Sequence, residues 1–214
     1  MKLIDIAPGI KIHGVFSVDY EEIKCSEYED IIAYFLENIP SVKDPTLINV
    51  GGCWCSGKTT QSMSLLQDNP GFVYINFDDV MCRIGEYQSC FVGFGGEAAF
   101  DAWKISAAII GYEILCRAVE KRANILFDHS GVAMDHTILF KNIKNLGYCL
   151  KFYQTKCSAD EVIKRVSSRN QNPKFGRFTP LNLVEQTIEN TEIMMEKYKK
   201  IFDSFIVIDT NTTS

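Results

Sequence analysis

The chain has 214 residues, 46% of them hydrophobic, with 22 basic and 27 acidic side chains and a formal charge of -5. That size and apolar content suit one α/β domain with a small appendage, and the acidic balance argues against broad binding to nucleic acid or anionic membranes. The eight cysteines show no paired CxxC layout, so neither a zinc finger nor a disulfide framework is indicated, and a reducing, cytoplasmic setting is the simplest.

The N-terminus, Met1 to Gly9, carries an acid and a proline where a signal peptide needs an unbroken apolar core, and no run is long enough to span a bilayer. Export as an effector by another kind of signal stays open. Residues 1–26 alternate apolar and polar around Pro8-Gly9 and His13-Gly14, the pattern of a short hairpin or irregular arm that packs as an extension. Ser26 to Ile39 carries Tyr28, Ile31, Ile32, Phe35 and Ile39 at helical spacing, an amphipathic helix with Ser26 as N-cap and Pro40 as its stop. The chain therefore divides into an arm and helix over 1–45 and a nucleotide-binding domain over 46–214.

Thr46 to Thr60 organises that domain. Gly52-x-x-x-x-Gly57-Lys58-Thr59 fits the Walker A phosphate loop and sits between an apolar strand-like run and a helix-forming run. The glycines let the backbone curl so that the amides of Gly52, Cys53, Trp54, Cys55, Ser56, Gly57 and Lys58 form an anion cradle, helped by the helix that Thr59 and Thr60 begin. Lys58 reaches the β- and γ-phosphates, and Thr59 offers its hydroxyl to Mg²⁺. Cys53 and Cys55 are too close in sequence for an unstrained mutual disulfide, so they read as reduced thiols filling space. The redox alternative is a thiolate whose pKa is lowered beside Lys58.

Phe72 to Phe77 is a second buried strand ending in Asp78-Asp79, on the edge where open α/β sheets place ligands. Asp78 fits the general base that takes the proton of an attacking hydroxyl, while Asp79 fits the N-cap of the next helix. Cys82 to Gly96 reads as a substrate-side loop, and Glu97 to Lys121 as a long helix in which Gly111 is a tolerated flaw and Trp103 is core. Ala123 to Asp128 is a third strand of the Walker B kind, with Asp128 available to Mg²⁺, directly or through water. Asp128-His-Ser-Gly131 also mimics a GTPase switch, but the run Thr155 to Ala159 lacks the aspartate of a guanine reader. His129 and His136 have no ligand-like spacing and read as turn or surface residues.

Tyr148 to Gln154 is a fourth strand, and Ser158-x-x-Glu161 is a capping box opening a helix that bears Arg165 and Arg169. Turn-rich residues 170–177, including Arg177, follow. Arginines opposite a phosphate loop suit the charge developing on a transferred phosphoryl group. Pro180 to Phe202 is a further helix, and Phe205 to Asp209 the fifth strand.

Strands alternating with helices, the first ending in a phosphate loop, give a doubly wound, five-stranded parallel sheet of the P-loop kinase type with a helical lid. In that order of elements, over roughly residues 46–210, the chain resembles the zeta-toxin family of small P-loop kinases, as does the helix at 26–39. Gly51-Gly-Cys-Trp-Cys-Ser-Gly-Lys-Thr59 is similar to its phosphate loop, and Ile75-Asn-Phe-Asp78-Asp79 to its strand ending in the catalytic aspartate. Asn124 to Ser130 is similar to the run ending in Glu-Gly-Thr, with Asp128 for the acid and Ser130 for the hydroxyl. Arg165 and Gly176-Arg177 resemble the lid arginines. Where the family tends to hold a sugar nucleotide with two further arginines, this sequence has Met81 and Val132, with Arg83 nearby.

The resemblance implies ATP- and Mg²⁺-dependent phosphorylation of a hydroxyl on a small metabolite, sugar nucleotide, nucleotide or antibiotic, with the missing arginines weakening the case for the sugar nucleotide. Asp79, Arg83, Asp128 and Ser130 are the candidate substrate contacts. An inhibitory protein partner is implied if the chain acts as a toxin. Two other classes stay open: a nucleotide-binding regulator that transfers nothing, and a nucleic-acid-end kinase with a basic groove.

Overall fold

The computed structural model describes residues 1–12, 15–16, 27–131, 136–171 and 178–211. His13, the Ser26 cap, Val132 and Gly176-Arg177 lie outside them. The chain runs through α1 (Leu3–Ile6), β1 (Lys11–Ile12), β2 (Val15–Phe16), α2 (Tyr28–Leu36), β3 (Thr46–Gly51), α3 (Lys58–Asp68), β4 (Val73–Asn76) and α4 (Phe77–Cys82). It continues through α5 (Gly85–Phe94), α6 (Gly96–Glu120), β5 (Ile125–Asp128), α7 (Thr137–Asn145), β6 (Cys149–Lys156), α8 (Ala159–Gln171), α9 (Leu181–Lys199) and β7 (Ser204–Asp209).

Five strands form one parallel sheet in the order β4-β5-β3-β6-β7. The strand before the phosphate loop is thus central, and its near-continuous apolar run follows from cover on both faces. Ile48 and Val50 pack with Leu65 of α3 and Leu126 of β5 on one side. Leu47 joins the larger core built around α6 on the other. The N-terminal segment packs into that same core through Leu3, Ile6, Ile10 and Ile12, all buried. The Met1 amino group pairs with Glu120 at 3.1 Å.

Two local readings are corrected by the structure. Residues 82–96, expected as a loop, contain the helix α5, whose first amide, Gly85 N–H, donates to Glu27 Oε2 (2.9 Å). Its pattern is masked in sequence because the inward Tyr87 and Phe91 share the helix with Val92 and Phe94, which are 86% and 80% exposed. In addition β4 ends at Asn76, whose side-chain oxygen accepts the Asp79 N–H (3.1 Å). Asn76, not Asp79, is therefore the N-cap of α4, and Asp78 and Asp79 lie in its first turn.

Gly111 is more than a flaw in α6, because a Cβ built there would overlap the ring of Phe77. Helix propensity alone favours Gly111→Ala by about 1 kcal/mol. Overpacking a core typically costs about 1–3 kcal/mol, and Phe77 is held by ring contacts with Tyr112 (4.9 Å between centroids), Phe127 (5.8 Å) and His129 (5.0 Å). Gly111→Ala is therefore expected to destabilise the protein by up to about 2 kcal/mol, read as a lowered urea midpoint with unchanged slope. A midpoint at or above that of the unaltered protein would overturn this packing account.

Candidate active site

The turn from β3 into α3 needs three residues at positive φ: Gly52 (144°), Cys55 (57°) and Gly57 (92°). At Gly52 a side chain is also sterically barred, since a Cβ would lie 2.5 Å from the Thr155 carbonyl oxygen. Neighbouring strands hold the curl. Gly52 N–H donates to Ser130 O (3.1 Å), Thr155 Oγ1 to Gly51 O (3.2 Å), and Thr210 Oγ1, just past β7, to Ser56 O (2.6 Å). The buried Ser56 hydroxyl donates to Cys53 O (2.8 Å) and lies 2.6 Å from Thr155 Oγ1. Ser56 and Cys53 thus turn their side chains into the scaffold.

The reactive-thiolate reading fails for Cys53. Burial pushes its thiol up, and this outweighs the opposing charge of Lys58.

Above the loop opens a cleft of about 810 Å³. Of the residues singled out in the sequence, Trp54, Cys55, Gly57, Lys58, Thr59 and Thr60 line it from the loop and α3. Asp78 lines it from α4, Asp128 and Ser130 from the end of β5, and Arg165 and Arg169 from α8. Parallel pairing explains the convergence: the register sets Asn76 beside Asp128 and Val50 beside Asp128, so the C-terminal ends of β4, β5 and β3 open on one edge.

Lys58 Nζ donates to Cys53 O (2.8 Å). Asp128 is only 4% exposed, and desolvation raises its pKa against the pull of Lys58 and of hydrogen bonding from Tyr74 and Asn76; the Asp78 charge adds to the rise. Arg165 is braced by Glu161 (Nε to Oε1, 2.9 Å), donates to Thr210 O (2.6 Å) and reaches Cys55 O (3.4 Å). It therefore ties the lid helix to the phosphate loop. Arg169 contacts Thr179 Oγ1 at 3.4 Å, and Gln186 of α9 completes this wall.

Two of the candidate substrate contacts fall elsewhere. Arg83 lies with its guanidinium carbon 3.5 Å from the centroid of the Tyr34 ring and does not line the cleft. Asp79 does not line it either, its backbone being taken up by the Asn76 cap. The surface reading of His136 is also overturned: it is fully buried, its Nε2 is 2.6 Å from Tyr112 Oη, and its ring is 4.6 Å from that of His129. His129 does line the cleft, stacked on Phe127 (5.0 Å) with its Nδ1 accepting the Gly131 N–H (3.2 Å).

Sequence reasoning missed Lys104 and Asn76. Phe100, Lys104, Ala107 and Ala108 recur at one helical face of α6 and line the cleft from that helix, with Trp54 edge-on to Phe100 at 6.1 Å. One cation interrupting an apolar helical stripe was the available signal.

The zeta toxin family model matches residues 32–214. A solved structure from the PezAT chromosomal toxin-antitoxin system of Streptococcus pneumoniae is 18% identical, with a TM-score of 0.65, over 90% of this chain and 80% of that one. A structure from Chloroflexus aurantiacus, provisionally described as a kinase, is 17% identical with a TM-score of 0.54, over 79% of this chain and 90% of that one. No curated protein matches. The structural likenesses establish the shared fold, and the family match runs from α2 through the β3–α3 turn, Asp78, Asp128, α8 and α9, so the chain belongs to the zeta toxin family.

Proposed function

We propose that the protein is an ATP-dependent phosphotransferase that moves the γ-phosphoryl group to a hydroxyl of a small-molecule acceptor. The observation that carries this reading is a cleft lined by Asp78 together with Lys58, Thr59 and the α8 arginines. Its volume of about 810 Å³ lies in the range of small-molecule sites, about 300–1,000 Å³.

The loop amides and Lys58 grip the β- and γ-phosphates. Asp78 accepts the proton of the acceptor hydroxyl as its oxygen bonds to the γ-phosphorus and the bond to the β–γ bridging oxygen breaks, leaving ADP. Arg169, with Arg165 steadying the lid, meets the charge on the equatorial oxygens. Arg177, outside the described residues, is proposed for the same charge-stabilising role. Thr59 and Asp128 suit Mg²⁺, because both line the cleft and Asp128 Oδ1 is a buried carboxylate oxygen without a hydrogen-bond partner among the described residues. When bound, the ion supplies charge neutralisation between the phosphates. Phe100, Lys104 and Trp54 form the acceptor side.

The PezAT system pairs a toxin with an antitoxin. An inhibitory protein partner is accordingly part of this proposal, as is a cytoplasmic setting. No helix among the described residues is long and apolar enough to cross a membrane.

The decisive experiment incubates the protein with γ-labelled ATP and a metabolite extract. The expected result is transfer of label to a small organic molecule in a reaction that needs Mg²⁺. Tight ATP binding with no labelled acceptor would instead favour a regulator, and label on oligonucleotide ends a nucleic-acid kinase.

A further inference from the structure

The two carboxylate oxygens of Asp128 differ in their surroundings. Oδ2 accepts a hydrogen bond from the Tyr74 phenol (2.9 Å), whereas Oδ1 is buried without a partner among the described residues. Tyr74 is well placed to hold that asymmetry. It lies on β4, two residues before Asn76, whose Cα partner across the ladder is Asp128, so Tyr74, Asn76 and Asp128 share one face of the sheet. That is the α3 face, where the Tyr74 ring packs against the cluster of Ile48, Val50, Leu65 and Leu126. The ring is thereby wedged beneath the helix that begins with Lys58 and Thr59. Asn76 is committed on its oxygen side to capping α4, and its amide also favours the ionised form of Asp128.

We propose that Tyr74 is a positioning residue for phosphoryl transfer: its hydroxyl holds Oδ2 and so aims Oδ1 of Asp128 at the water shell of the nucleotide-bound cation. This rests on reading Asp128 as the metal-side carboxylate. A hydrogen bond to one oxygen restricts the rotation of a carboxylate, and such outer partners typically change metal affinity by about 10–100-fold when removed. A tyrosine kept only for its ring would serve equally well as phenylalanine, since the packing cluster contacts the ring.

Tyr74→Phe keeps the ring and deletes the donor. Mn²⁺ is titrated into the full-length protein saturated with ADP and followed by electron paramagnetic resonance, with Asp128→Asn as the reference. The expected result is about tenfold weaker Mn²⁺ binding in Tyr74→Phe, with metal-free ADP affinity unchanged. In turnover, the Mg²⁺ concentration for half-maximal rate should rise by more than kcat falls. Mn²⁺ affinity within twofold of the unaltered protein, while Asp128→Asn weakens it, would overturn the role of Tyr74 alone. If Asp128→Asn also leaves Mn²⁺ affinity unchanged, the metal-side reading of Asp128 falls and the proposal with it.

Discussion

Replacing Asp78 with asparagine is expected to leave nucleotide affinity unchanged within about twofold while lowering phosphoryl transfer by about 10²–10⁴, the span that a positioned general base typically contributes. The substitution is isosteric, so the first turn of α4 and its Asn76 cap persist. What disappears is the group able to take a proton. The charge change itself works in favour of binding, since Asp78 is one of the influences that raise the pKa of Asp128. Removing that repulsion leaves the ionised Asp128 better tolerated and the metal side no weaker. Fluorescent-ATP titration together with single-turnover transfer separates the two quantities. Transfer at the unaltered rate would reject Asp78 as the base without touching the nucleotide-binding reading.

The second large effect belongs to Lys58→Ala, for which turnover should fall by about 10²–10³ or more, because a preorganised cation facing the transferred charge is lost. The same change should also cost stability. Lys58 is the strongest of the influences that oppose desolvation at the buried Asp128, so without it that carboxyl moves further up.

The sign follows from linkage. A carboxyl whose folded pKa exceeds its unfolded value of 3.8 binds more protons in the folded state, so stability falls as pH rises from 3.8 through the folded pKa. In Lys58→Ala this decline should extend to higher pH, and Asp128→Asn in the same background should abolish the extension. Melting temperatures measured across pH in the single and double variants test this. Additive effects of the two substitutions would mean that the residues are not energetically coupled.

Much of the fold was legible from local pattern. A strand buried on both faces must read as an apolar run, and a phosphate loop must place Gly52 and Gly57 where positive φ is required, so β3, the loop and α3 could be located from residue types alone. Asp128 at the end of β5 and Asp78 just past β4 were visible for the same reason, since each follows an apolar run. Contacts between distant segments left no such periodic trace. That Phe77 presses on Gly111, that Arg83 lies over Tyr34 rather than in the cleft, and that Tyr74 reaches Asp128 are outcomes of which helix crosses which strand end.

The amino-acid sequence by itself determined the alternation of the five sheet strands with helices, the place of the glycine-bearing turn after β3 and the family, because these rest on spacing along the chain. Only the tertiary structure decided which carboxylates and cations share one cleft and which side chains orient them. Parallel pairing brings together strand ends separated by long helical crossovers, and that juxtaposition is a property of packing with no signature at any single position.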